Sequence, residues 1–168
     1  SGYGLDTAHE LMMLQAAAIL DDFHPVDIVP TFLGAHAVPP EYKGQTDAYV
    51  ALVIGKMIPR ISGWYEETHF AENGIPLFVD VFCEAGAFNL KQMHRILEAG
   101  KASGMLIKAH VDEFTSLGGV TLAVEMGATS VDHLDVTTRT EINILAQSDT
   151  VGVVIPAVNF NLGSVDFA

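Results

Sequence analysis

Apolar residues along this chain fall into short blocks separated by longer amphipathic stretches. Residues 26–33, 77–82, 105–109, 129–131 and 150–155 are brief, apolar and rich in β-branched side chains, the pattern of strands buried on both faces of a parallel sheet. Between the blocks, apolar positions recur at helical spacing. Asp6 or Thr7 is placed to cap a helix through Leu11, Leu14, Ala18 and Ile19, and Thr46 to start another through Val50, Val53, Met57 and Ile58. Met12 and Met13 fall on the first of these and are expected to face its packing partners. Asn89 followed by Gln92 has capping-box spacing for a helix through Met93, Ile96 and Leu97 that ends near Gly104. Residues 117–126 and 138–146 are shorter helical stretches. Strand and helix therefore alternate, and the chain reads as an α/β protein.

Two architectures fit that alternation. One is an incomplete TIM-like (β/α)8 barrel covering about strands 2–7, with residues 1–168 a single segment of it and the first and last strands outside the chain. A closed barrel usually needs about 250 residues and at least about 200. The other is a complete five-stranded doubly wound sheet, which length alone favours.

Charge and composition narrow the partners. Twenty-one acidic against eight basic residues give a net charge of −13, which repels phosphate backbones and anionic lipid surfaces, so no nucleic-acid and no membrane partner is expected. With 49% hydrophobic residues the chain can build a sizeable core, and no apolar run reaches the length of about 18 residues needed to span a bilayer. A single cysteine, Cys83, excludes an internal disulfide and fits a reducing compartment, with the cytoplasm as the expected location. Following an apolar block without a neighbouring base, Cys83 reads as a buried, inert thiol.

Candidate chemistry sits where apolar blocks give way to acids. Lys108-Ala-His110-Val-Asp-Glu113-Phe and Val131-Asp-His133-Leu each put a histidine at the carboxyl end of a buried strand, where α/β folds bind ligands. The structural alternatives are ordinary ones. His110 and His133 would each serve as a satisfied, hydrogen-bonded histidine, and Asp112 and Glu113 as acids opening a helix. His36 would be a turn histidine before Pro39-Pro40, and Tyr3 lies near a terminus that is free to fray.

The strings Ser1-Gly-Tyr3-Gly-Leu5, Phe32-Leu-Gly-Ala-His36-Ala-Val-Pro-Pro-Glu-Tyr42, Val79-Asp-Val-Phe-Cys-Glu84, the Lys108 motif with Gly118-Gly119, and Ser130-Val-Asp-His133-Leu134 resemble the imidazolonepropionase family of the metal-dependent amidohydrolase barrels. The resemblance implies a hydrolase opening the cyclic C–N bond of 4-imidazolone-5-propanoate to N-formimidoyl-L-glutamate in histidine breakdown. It implies His110 as a ligand of one divalent metal, Zn or Fe, whose remaining ligands, a His-x-His pair and an aspartate, lie outside this chain. Asp166 lacks the pattern expected of that aspartate. Glu113 and His133 are implied as catalytic groups, and Tyr3, His36 and Glu113 as substrate contacts, while an arginine that the family also uses lies upstream. The isolated segment is expected to be inactive, and a homo-oligomeric full-length form is left open. The alternatives are another amidohydrolase, acting on a cyclic amide or deaminating an amino-heterocycle, and a non-enzymatic α/β binding module.

Overall fold

Asp6 opens the first helix. Its carboxylate accepts the backbone N–H groups of Ala8 and His9, each at 2.9 Å, satisfying donors that have no partner within the helix. The computed structural model describes residues 3–163, so Asp166 lies outside the described residues. In chain order it shows α1 (Thr7–Phe23), β1 (Thr31–Ala35), a 3₁₀ turn (Pro40–Tyr42), α2 (Thr46–Leu52), a π turn (Val53–Met57), α3 (Ile58–Tyr65), α4 (His69–Glu72), β2 (Phe78–Cys83), α5 (Leu90–Ala102), β3 (Leu106–Val111), α6 (Gly119–Met126), β4 (Ser130–His133), α7 (Arg139–Leu145), β5 (Val151–Val153) and α8 (Pro156–Leu162).

Local chemistry explains where these elements depart from the sequence pattern. The first strand begins at Thr31 rather than at residue 26, because Pro25 and Pro30 bracket that stretch and proline has no N–H for a ladder. The single helix expected after Thr46 widens into a π turn before Pro59, whose missing N–H cannot donate to the carbonyl four residues back. Met12 is exposed, against expectation. It lies roughly 200° around the helix axis from both Glu10 and Leu14, the two residues of α1 that are buried. The capping box at α5 forms as expected, with Asn89 and Gln92 exchanging two 3.0 Å hydrogen bonds.

The five strands form one parallel sheet in the order β1-β2-β3-β4-β5. A doubly wound sheet reverses its strand order at a switch point, and this one does not. Sequential winding is that of a partial TIM-like barrel, with the helices on one face and the other face turned toward the barrel interior. On the helix side, Val79, Val81, Ile107, Ala109, Val111 and Val131 are buried against Met93, Ile96, Leu97 and Val120, with each valine, isoleucine, leucine and methionine worth about 1.5–3 kcal/mol of apolar burial. Helix α5 comes so close to β2 that a Cβ on Gly100 would lie 2.3 Å from Val79 Cγ1. No helix among the described residues is long and apolar enough to cross a membrane.

Candidate active site

Side-chain alternation loads the inner face of the sheet with polar groups. Asp80 pairs in register with Lys108, Lys108 with Ser130, and His110 with Asp132, so these side chains share the face opposite the core. A TIM barrel usually fills this space with branched apolar residues. Here it holds a chain of charges. Lys108 Nζ lies 3.3 Å from Asp132 Oδ2, and His110 Nδ1 lies 3.7 Å from the same oxygen and 3.1 Å from Asp80 Oδ1. His36 Nε2 approaches His110 Nδ1 to 3.3 Å and Asp80 Oδ1 to 3.8 Å.

The histidines respond to this setting in opposite ways. Burial lowers His36 to about 4 despite the nearby Asp80 charge, so its imidazole is neutral at physiological pH. Burial also opposes charge on His110, but the hydrogen bond and charge of Asp80, joined by the charge of Asp132, outweigh it and raise its pKa. Burial, then repulsion from His110, lowers His133. Donor atoms of His36, Asp80 and His110 all lie within 4.8 Å of one another, a grouping able to hold a metal ion.

Backbone strain aims the other two groups. By alternation His133, in register with Val111, would point toward the helices. Its φ of 86° breaks the alternation and turns the ring toward His110, at 5.2 Å between centroids. Leu134 (φ 68°) and Asp112 (φ 57°) are left-handed too, a conformation that costs about 1–3 kcal/mol per residue and clusters at functional sites. Glu113 follows Asp112 and faces His133, with Oε2 at 3.6 Å from Nε2. Burial, reinforced by the charges of Asp135 and Glu84, raises the Glu113 pKa. The loop carrying Glu113 is strapped by Glu84, which accepts the N–H groups of Phe114 (2.9 Å) and Thr115 (3.2 Å) and the Thr115 hydroxyl.

All five candidates from the sequence line one pocket of about 300 Å³: Tyr3, His36, His110, Glu113 and His133. Phe82 forms a wall, and Ile155 and Val158 close it from the start of α8. Tyr3 stacks on His36 with ring centroids 5.1 Å apart. A larger hollow of about 550 Å³ lies between α5 and α6, but its lining includes none of these groups. The sequence reading assigned no role to Asp80 or Asp132. A signal was present, since a lone acid inside an apolar strand must be paired to be buried at all, and both are at most 5% exposed. Cys83, by contrast, is the buried thiol expected, pushed up to about 12 by burial and then by Asp112 and Glu84.

No family model matches the chain. Curated proteins do. Imidazolonepropionase from Chloroflexus aggregans is 53% identical over all 168 residues, and that from Herpetosiphon aurantiacus 52% over the same span. Over its whole length the chain is similar to a segment of these imidazolonepropionases. The protein of that name from Geobacillus kaustophilus is 49% identical over 162 residues. The chain spans about 39% of the length of the first two relatives and 36% of the third, in keeping with a sheet that is part of a barrel.

Proposed function

We propose that this chain is the pocket-bearing segment of an imidazolonepropionase, which hydrolyses the cyclic C–N bond of 4-imidazolone-5-propanoate to give N-formimidoyl-L-glutamate. The observation that carries the reading is the convergence of Tyr3, His36, His110, Glu113 and His133 on one pocket in a chain similar throughout to proteins of that name.

The donor chemistry fits a divalent cation, Zn or Fe. With His110 neutral, as a ligand must be, the inner cluster of Asp80, Asp132 and Lys108 carries one net negative charge. The carboxylates that raise the His110 pKa would equally stabilise a cation beside it. Asp80 is not a pocket-lining residue, and it engages Nδ1 of His110, which leaves Nε2 as the nitrogen for a pocket metal. A bound metal supplies Lewis-acid polarisation of the ring carbonyl and a water acidic enough to attack near neutral pH.

The chain's own residues handle the rest. Hydrolysis adds hydroxyl to the ring carbonyl carbon and a proton to the departing ring nitrogen. Glu113, with its raised pKa, is suited to take the proton from the attacking water and return it to that nitrogen. His133, kept neutral, donates a hydrogen bond to the developing oxyanion. Tyr3 and His36 hold the ring and its propionate arm. A reducing cytoplasm suits the single buried thiol.

The test is product formation. Full-length protein carrying this segment, loaded with Zn or Fe, is expected to convert 4-imidazolone-5-propanoate to N-formimidoyl-L-glutamate, and removing the metal by chelation should abolish turnover. Absence of turnover by the metal-loaded protein would overturn the assignment.

A further inference from the structure

Strand β1 carries one residue too many on its way to His36. Phe32 pairs with Val79 and Ala35 with Val81, so three steps along β1 match two along β2, which defines a β-bulge. Because side chains alternate with a period of two, an extra residue sends everything after it to the opposite face. Phe32 packs on the helix side, where it and Met57 are the atoms a Cβ on Gly34 would meet. Without the bulge His36, four residues on, would share that side. With it, Ala35 takes the helix side next to Val81, and His36 enters the pocket nearly parallel to Phe82, at 11° and 6.5 Å.

Two buried side chains hold the peptide groups of the bulged segment. Glu10 Oε1 accepts the Leu33 N–H at 2.6 Å, and the Tyr49 hydroxyl donates to the Gly34 carbonyl at 2.7 Å. Glu10 is only 1% exposed, although burying a carboxyl is unfavourable. It also seats the chain ahead of α1, where a Cβ on Gly4 would stand 2.3 Å from Glu10 Cα and 2.5 Å from Oε2. Tyr3, the next residue back, is the one stacked on His36.

We infer that Glu10, together with Tyr49, is a positioning residue of the pocket: it holds the β1 bulge that aims His36 and, through Gly4, fixes the seat of Tyr3. Neither side chain lines the pocket, so both act through the two rings. The inference rests on the reading of the pocket as the substrate site.

The experiment is steady-state kinetics on the full-length protein with 4-imidazolone-5-propanoate, alongside metal content and thermal unfolding, for Glu10→Ala, Glu10→Gln and Tyr49→Phe. Glu10→Ala is expected to raise KM about tenfold or more with kcat within about threefold and metal content unchanged. Glu10→Gln keeps an acceptor for Leu33 and is expected to restore KM to within about twofold. Tyr49→Phe should raise KM in the same direction and serves if Glu10→Ala does not fold. A lower Tm with KM unmoved in every variant that folds overturns the inference, as does Glu10→Gln behaving like Glu10→Ala. Wild-type turnover, measured first, tests the functional reading separately. Should it be absent, a crystal structure of Tyr49→Phe decides the positioning role: a His36 ring turned away from Phe82 supports it, and an unmoved ring overturns it.

Discussion

His110 Nδ1 and Asp80 Oδ1 lie 3.1 Å apart across neighbouring strands. Asp80 is almost wholly buried, and this contact commits one ring nitrogen to the protein interior, fixing the tautomer that leaves the other as an electron-pair donor. Replacing Asp80 by Asn keeps the volume but removes the charge that holds the Nδ1 proton. Metal affinity of the full-length protein, measured by chelator competition, is expected to fall about 10- to 100-fold.

Glu113 and His133 face each other at 3.6 Å, and both are proposed to act in the chemical step. Glu113→Gln is expected to lower kcat by about 100-fold or more with a smaller change in KM, since the amide cannot carry the proton. His133→Ala should likewise act mainly on kcat, by a factor on the order of 100. Steady-state kinetics with unchanged metal content checks both.

Much of this architecture was legible in the chain because the signals were local. The apolar blocks gave every strand, Asp6 and the Asn89–Gln92 pair gave two helix starts, and the His110 and His133 motifs gave the strand ends that meet in the pocket. What escaped depends on long-range relationships. No local pattern marks the β1 bulge, since it exists only as a mismatch with β2. Asp80 gains its meaning from His110, thirty residues away. Helix α8 was missed although Pro156 stands at its first position, a favoured place for proline.

Glu10 gives stability a pH dependence. Burial, opposed by backbone hydrogen bonds from Leu33, Gly4 and Gly34, raises its pKa from 4.5 to about 7. A raised folded value means the protonated form is favoured by folding. Its contribution is therefore complete below about pH 4.5 and is lost as pH rises through 7, a difference of roughly 3 kcal/mol. Urea unfolding at pH 5 and pH 8 should show wild type losing more stability than Glu10→Gln over that interval. Equal losses would refute the linkage.

The contact between α5 and β2 makes a stability prediction independent of function. Gly100→Ala places a methyl 2.3 Å from Val79 Cγ1 and is expected to destabilise by about 1–3 kcal/mol through overpacking. Val79→Ala on the same chain should recover part of that loss, visible as a coupling energy in a double-mutant cycle of denaturant unfolding.

Whether these side chains converge on a substrate is decided by a crystal structure of the full-length, metal-loaded protein with a non-hydrolysable imidazole-propanoate analogue. The analogue ring is expected within hydrogen-bond distance of Glu113 and His133, beside the Tyr3–His36 stack, with His110 bound to the metal through Nε2. An analogue lodged elsewhere, such as the hollow between α5 and α6, or a metal held through Nδ1 among His36, Asp80 and His110, would contradict it.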